Sequence, residues 1–332
     1  MFEIRWERQL HQAGTDTGIA VTTGGYVVLH ERRTRLVCLD SATGSHRWDV
    51  PVGTWPRALA VAGEHCYALP QNTSRLLCFD LETGHRVWST ELDSTTGHLV
   101  VSGDAVLVGG WRGYTSPRVV DRATGELRWQ TNDRQPTVRP IATDGGFLFG
   151  EPGGSAVRLL DRRDGTELVA WSLPHPLIDT DNKATFTSAG SDRFLTRCGS
   201  RTVADIRPSR GTVREFLVTD HDLAVSAPVH VGGLLWLRER RAGFTVARLT
   251  GDCLPYRVDV GQPLLDQVVA VETGFVVASM TGILFHLDFD GRVTERVTVS
   301  RRITALRALS SAHVLVATKG TLLAVGVGPN HG

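Results

Sequence analysis

One phrase recurs along the chain and restricts the folds open to it. Residues 36–48 read Leu-Val-Cys-Leu-Asp40-Ser-Ala-Thr-Gly44-Ser-His-Arg-Trp48. Residues 76–88 read Leu-Leu-Cys-Phe-Asp80-Leu-Glu-Thr-Gly84-His-Arg-Val-Trp88, and residues 118–129 read Arg-Val-Val-Asp121-Arg-Ala-Thr-Gly125-Glu-Leu-Arg-Trp129. The pattern is an apolar run, Asp, two residues, Thr-Gly, three residues, Trp. Self-similarity at a fixed period marks a repeat architecture and outranks any single motif. The turn glycines fall at 44, 84, 125, 165, 211, 251 and 291, with spacings of 40, 41, 40, 46, 40 and 40. A further step of 41 lands on Gly332, the last residue, and leaves no chain for the Trp that should follow. The N-terminus supplies it, because Glu3-Ile-Arg-Trp6-Glu-Arg matches Glu126-Leu-Arg-Trp129-Gln-Thr. The spacing therefore predicts eight units, one of them joined from both ends of the chain.

Each unit reads as four short strands. In the first they lie near 18–22, 26–31, 35–40 and 45–51, with a glycine turn at Thr23-Gly24-Gly25 that returns at Asp144-Gly145-Gly146 and Val231-Gly232-Gly233. Short β-runs punctuated by glycine turns, without helical periodicity, exclude a helical repeat. Eight four-stranded units suit a β-propeller, whose radial repetition leaves only short edges. A solenoid of the same period needs atypical capping repeats, and none is present. The expectation is all-β: one eight-bladed domain over residues 1–332, with the N- and C-terminal strands sharing a blade. The repeated residues have structural work to do. Asp can accept hydrogen bonds from turn amides, Gly supplies a positive φ, and Trp offers a large apolar face with an N–H to place. The pattern decays along the chain. The fourth Trp slips to Trp171, the fifth unit has Arg207 for Asp and Phe216 for Trp, and the sixth has Tyr256.

The Asp-x-x-Thr-Gly-x-x-x-Trp repeat resembles the PQQ-like β-propeller repeat of the quinoprotein alcohol dehydrogenases and the outer-membrane barrel-assembly lipoprotein. The resemblance covers the whole chain and implies the fold. Quinoprotein dehydrogenases carry a disulfide between adjacent cysteines over the cofactor, and the barrel-assembly lipoprotein has a lipidated N-terminal Cys. This sequence has neither, so the resemblance implies no PQQ chemistry and no cofactor is expected. A fold does not fix a function.

Composition bounds the rest. The chain of 332 residues, 41% hydrophobic, can bury a large core. Its 36 Lys+Arg balance 35 Asp+Glu to a net +1, so no basic excess suggests nucleic acid and no polybasic run suggests a membrane surface. No apolar run approaches the roughly 20 residues that span a bilayer. The charged start, Met1-Phe-Glu-Ile-Arg, lacks the apolar core of an export signal. Five scattered cysteines, at 38, 66, 78, 198 and 253, read as small buried hydrophobes of a reducing compartment. A cytoplasmic monomer is expected.

Loops carry function on a rigid scaffold. The loops between a fourth strand and the next first strand, and between second and third strands, should share a face. Three groups stand out there. The first joins Trp55, Arg57, His98, Trp111, Arg112, Tyr114, Arg134 and Arg139 from consecutive units. Aromatic and guanidinium groups on one rim suit a planar or anionic ligand or a protein hot spot, and the plain alternative is a solvated rim. The second is the connection 172–185, which holds the extra residues of the 46-residue spacing and includes His175, Asp179 and Asp181. It reads as a recognition loop, and its acids lack the Gly and distal Glu of a calcium loop. The third is Asp220-His221-Asp222 with Asp266 on the next connection, either an acid–base group or a polar turn. Arg302 belongs to a further cationic pair. There is no paired metal spacing among the histidines and no nucleophile elbow.

Two functions from different classes follow. The first is a cofactor-free binding or scaffold propeller that recognises a protein or small molecule through its loop face. The second is a cofactor-independent cyclase, lyase or isomerase. In it His98, His221 or Asp222 moves protons while Arg57, Arg112 and Arg139 hold negative charge.

Overall fold

The computed structural model describes residues 1–11, 18–31, 34–54, 56–241, 243–250, 255–300 and 302–328, without the side chains of Pro56 and Arg57. The described residues form eight four-stranded antiparallel sheets, each a repeat unit, and the fold is an eight-bladed β-propeller. The first sheet runs Ile19–Val21, Tyr26–Glu31, Arg35–Asp40 and His46–Pro51, within a residue or two of the strands read from the sequence. The eighth has the order Phe2–Gln9, Thr321–Val327, His313–Thr318, Ile303–Ala308. Phe2 pairs with Val327 and Gln9 with Thr321, so the two ends of the chain do share a sheet. The second and third strands of a sheet are buried on both faces. Val27–Leu29 and Leu36–Leu39 are almost wholly enclosed, which is why these strands read as continuous apolar runs.

The repeat motif is a device for joining one sheet to the next. Asp121 Oδ1 accepts hydrogen bonds from the N–H groups of Ala123 (2.8 Å) and Thr124 (3.0 Å) and so closes the turn before Gly125. Asp40 does the same for Ala42 and Thr43. The indole of the preceding unit then lies on the turn glycine. Trp6 covers Gly44, Trp48 covers Gly84, Trp88 covers Gly125 and Trp129 covers Gly165. A Cβ on Gly125 would sit 2.6 Å from Cε3 of Trp88, so this glycine is needed for close approach as well as for its φ of 75°. Each indole N–H donates to a carbonyl beside that turn: Trp6 to Ser41 (3.0 Å), Trp48 to Leu81 (2.8 Å), Trp88 to Arg122 (3.1 Å) and Trp129 to Arg162 (3.0 Å). In the fourth unit the slipped Trp171 packs, partly buried, against the core cluster that Val213 also flanks, and its buried N–H has no partner among the described residues. Gly211 accordingly has nothing over it.

Contacts gather the chain into two compact units. One comprises Met1–Trp55, Leu81–Gly84 and Val231–Gly332, the other Pro56–Asp80 and His85–His230. The second holds the sheets of the second to fifth repeats and, with them, the site described next. Cys38, Cys66, Cys78 and Cys198 are buried thiols outside any disulfide. Burial pushes the Cys38 and Cys78 thiols up to about 12 and Cys198 up to about 11, as expected of inert core thiols. Cys253 lies outside the described residues.

Candidate functional site

The loops of the third repeat and the inserted connection meet. After the strand Ala105–Val108, Gly109 and Gly110 take φ values of 103° and 85° and turn the chain into a short 3₁₀ segment, Trp111–Gly113. Gly110 must be glycine, because a Cβ would lie 2.3 Å from Oγ1 of Thr137. Trp111 is buried, and its indole N–H donates to Oδ1 of Asp181 at 2.7 Å. Arg112 donates through Nε to the same oxygen at 3.2 Å, and its guanidinium carbon lies 4.8 Å from the Trp111 ring centre. Tyr114 meets Trp111 edge to face with centroids 5.6 Å apart. Trp111 is thus a platform, with Arg112 and Tyr114 displayed on it. Arg112 and Tyr114 stay exposed, at 57% of the side chain and 46% of the residue.

Backbone strain marks the same place. Among the described residues, the non-glycine positions with positive φ are Ser74, Arg112 (52°) and Asp181 (56°). Two of the three are the partners of one ion pair. A non-glycine residue in this region costs about 1–2 kcal/mol and persists where its surroundings over-determine it, which happens most often at functional loops.

His98 anchors the connection from beneath. Its ring is fully buried, with Nε2 2.9 Å from the carbonyl of Thr137 and Nδ1 3.2 Å from Oδ1 of Asn182. Burial pushes its pKa down to about 4, so the ring is neutral at pH 7. A neutral imidazole has one N–H, and a carbonyl can only accept, so Nε2 donates to Thr137. Nδ1 is then an acceptor, which assigns the Asn182 amide the flipped orientation, with its nitrogen rather than Oδ1 turned to the ring. Asp179 Oδ1 accepts the N–H of Asp181 (2.8 Å) and shapes the turn that delivers Asp181 to Trp111. Arg139, bridged to Ala184, donates to the carbonyl of Leu99 at 3.2 Å. Arg134 is exposed, 4.0 Å from Asp93, which also holds the buried Arg118 at 2.5 Å.

Two groups that the sequence kept separate, the loop rim and the inserted connection, are therefore one constellation. Trp111, Arg112, Tyr114, Asp179 and Asp181 are linked by direct contacts, His98 joins them through Asn182, and Arg134 and Arg139 lie at the margins. His175 is exposed on the first half of the insertion, which lies along the fifth sheet through the Leu177–Cys198 bridge. Trp55 and the Arg57 side chain lie outside the described residues. The third group does not assemble around its histidine. His221 is exposed in a turn where its carbonyl accepts from the Thr219 hydroxyl (2.7 Å), and Asp222 faces Arg201 at 2.8 Å. Asp266 lies in the strand Leu264–Val271, 3.6 Å from Arg238, and Arg302 is exposed. Asn182, Thr137 and Asp93 were not singled out from the sequence. They are short polar residues in loops, and only the folded loops give them partners. Among the described residues, no group of three or more His, Cys, Asp or Glu is placed to hold a metal ion.

The fold and its joining motif define a class, the PQQ-like repeat β-propellers. Within it the chain belongs to the family described as outer membrane protein assembly factor BamB, whose model matches residues 3–113 and 72–222. No curated protein matches the sequence. Solved structures share the fold at low identity. BamB from Moraxella catarrhalis superposes with a TM-score of 0.77 at 16% identity, covering 100% of this chain and 99% of that one. Saccharomyces cerevisiae Sqt1 gives 0.77 at 9% identity, over 99% and 100%. The dihydro-heme d1 dehydrogenase NirN, in complex with DHE, gives 0.71 at 14%, over 94% of this chain and 73% of that one. An assembly factor and a dehydrogenase thus share this architecture, and the fold alone does not choose between binding and catalysis.

Proposed function

We propose that this chain is a binding propeller that docks a protein partner through the rim formed by Arg112 and Tyr114 on the Trp111 platform, with Asp181 as the pin. The observation that carries the reading is the paired strain at Arg112 and Asp181. Two unfavourable backbone conformations are maintained to keep a guanidinium and a phenol exposed over a buried indole. Aromatic and arginine side chains held in fixed positions are the residues that dominate protein interfaces, because little side-chain freedom is lost on binding. His98 serves as a tether in this reading, since both ring nitrogens are already engaged. Membership of an assembly-factor family supports a partner rather than a substrate. Buried thiols outside any disulfide at Cys38, Cys78 and Cys198 support a reducing, cytoplasmic setting.

The test is capture of partners from an extract of the host with the intact chain and with Arg112→Ala and Tyr114→Ala variants. Both side chains are exposed, so the variants should fold. A stoichiometric partner that is lost with either variant supports the rim. Undiminished capture by both refutes it. A small-molecule adduct in native mass spectrometry, with no protein partner, would move the reading to ligand binding.

A further inference from the structure

We infer that the second and third sheets hold a binding cleft for a small carboxylate, anchored by Arg122 and His65, at the end of the sheets away from the rim. The cleft has a volume of about 350 Å³ and is lined by His65, Gly103, Asp104, Asp121, Arg122 and Ala123. Small-molecule sites run from roughly 300 to 1,000 Å³. None of these residues takes part in the rim. Gly103 and Asp104 join the strands Leu99–Ser102 and Ala105–Val108, and Asp121, Arg122 and Ala123 belong to the repeat's own turn. His65 opens the strand His65–Pro70 of the second sheet. His65 and Tyr67, two apart on that strand, share a face, and Tyr67 receives Nε of Arg122 from the third sheet.

Arg122 is fixed in place and carries a charge that no acid cancels. Its Nε donates to the Tyr67 hydroxyl (3.1 Å), Nη1 to the Gly103 carbonyl (2.8 Å) and Nη2 to the Ala62 carbonyl (3.0 Å). All three acceptors are neutral, and Arg122 makes no ion pair among the described residues. The next junction shows the contrast. Arg162 reaches back to Gly103 as Arg122 does to Gly63, with nitrogens 2.7 Å and 2.5 Å from the respective Cβ positions. Asp104, beside Gly103, lies 3.7 Å from Arg162. Glu64, beside Gly63, is exposed and makes no ion pair among the described residues.

His65 is the second unanswered group. Its Nδ1 is buried without a hydrogen-bond partner, and Nε2 makes no hydrogen bond among the described residues. A buried polar atom left unpaired is costly, and such atoms mark the place of a ligand or of water. In the third sheet Ala105 stands at the position of His65.

The donors and charges select the ligand. A guanidinium has five N–H groups, and the three in use leave one on each terminal nitrogen. Two such groups are what a carboxylate takes in a fork, and His65 supplies a further N–H. The acids that line the cleft argue for a single negative charge. Arg128 holds Asp104 at 2.9 Å and Asp121 at 2.5 Å and keeps both carboxyls below their ordinary range. Both stay ionised, so a dianion would be repelled by them. The His65 ring and the Ala123 methyl offer apolar contact to the body of the ligand.

The test is titration of the full chain with sodium benzoate at constant ionic strength, with sodium chloride and neutral benzamide as controls. Saturation-transfer NMR on the benzoate measures affinity, and proton–nitrogen spectra of the imidazoles locate it. The site predicts saturable binding that shifts the His65 resonances and leaves those of His98 unmoved. Arg122→Gln should weaken binding at least about tenfold, the loss of a charge-assisted pair, and His65→Ala roughly fivefold, the loss of a neutral hydrogen bond. Arg292→Gln, at an exposed arginine of the seventh sheet, leaves it unchanged. His65→Ala removes no hydrogen bond within the protein, so it decides the case if Arg122→Gln does not fold. No saturable binding beyond the chloride control, or undiminished affinity in His65→Ala and Arg122→Gln, overturns the site and leaves a solvent-filled cleft. Benzamide binding as tightly as benzoate overturns the anion, and inorganic phosphate binding more tightly overturns the single charge.

Discussion

The joining motif makes a quantitative prediction through two turn glycines that differ in what lies above them. Gly125 and Gly211 hold the same repeat position with φ of 75° and 62°, although Gly125 closes its turn onto the Asp121 carbonyl and Gly211 caps the short 3₁₀ segment Pro208–Arg210. Alanine at either position pays for a left-handed backbone, about 1 kcal/mol. At Gly211 nothing else opposes the new methyl, since no atom lies within 4 Å. At Gly125 the methyl would lie 2.6 Å and 2.7 Å from two carbons of the Trp88 indole and 2.8 Å from the Thr90 hydroxyl. Overpacking of this kind adds about 1–3 kcal/mol. Displacing the ring also breaks the 3.1 Å hydrogen bond from Trp88 to the Arg122 carbonyl, about 1 kcal/mol more. Gly125→Ala should therefore destabilise by about 3–5 kcal/mol and Gly211→Ala by about 1 kcal/mol. Urea unfolding followed by tryptophan fluorescence measures both. Equal losses in the two variants, or the larger loss at Gly211, would refute the argument that the indole-on-glycine contact carries the sheet-to-sheet junction.

Other perturbations follow from the same geometry. Removing residues 1–8 strips the outer strand from the eighth sheet and the Trp6 indole from Gly44. Calorimetry should show a loss of at least about 3 kcal/mol, the usual effect of deleting one large packed aromatic, and an unchanged melting temperature would mean that the ends do not close the sheet. Stability should also fall with pH in two separate windows. His98 titrates near 4 when folded against an ordinary 6.5, so the folded state binds fewer protons between those values. Its contribution is complete above pH 6.5 and is lost as pH falls toward 4, by up to about 3 kcal/mol. His286, also held below its ordinary value by burial, shares the window, so His98→Gln should shrink the slope without abolishing it. Asp40 and Asp121, held near 2 by Arg47 and Arg128, lose their contribution only below about pH 4. A stability profile that is flat from pH 7 to 4 would contradict the buried, neutral His98.

The fold was legible because each repeat carries its own local chemistry. Asp121 closes its own turn, Gly125 adopts its own φ, and Trp88 sits at a fixed offset from the glycine it covers. Such signals survive in one dimension. The shared eighth sheet was legible for the same reason, since Trp6 fits the period only as the missing partner of the last unit. The site was legible only in part. Trp111 and Tyr114 stand out because no repeat position explains them. Their link to Asp181 is set by the path of two long loops, and no local pattern in either encodes it. His98 invited an acid–base reading, and only its enclosure by Thr137 and Asn182 shows a tether. In the fifth sheet the buried Asp205, which receives Arg193, Arg207 and Arg214, was missed because a buried strand reads as core, and its three arginines lie apart in sequence: Arg193 just before the strand Phe194–Cys198, Arg214 on the strand Thr212–Val218, and Arg207 at the end of its own. Decay of the repeat was the available signal: Arg207 and Phe216 were noted as departures, and the charge cluster sits there.

The central claim is that the Trp111 platform presents a docking surface, and placing a photo-crosslinking residue at Tyr114 tests it most directly. A second chain would carry the same residue at Leu127, which is equally exposed but lies on the outer strand of the same sheet. Irradiation in a host extract should give one discrete protein adduct from position 114, none from 127, and loss of the adduct when Arg112→Ala or Asp181→Ala is added. The same adducts from both positions, or an adduct from 114 that is indifferent to Arg112 and Asp181, would contradict the account.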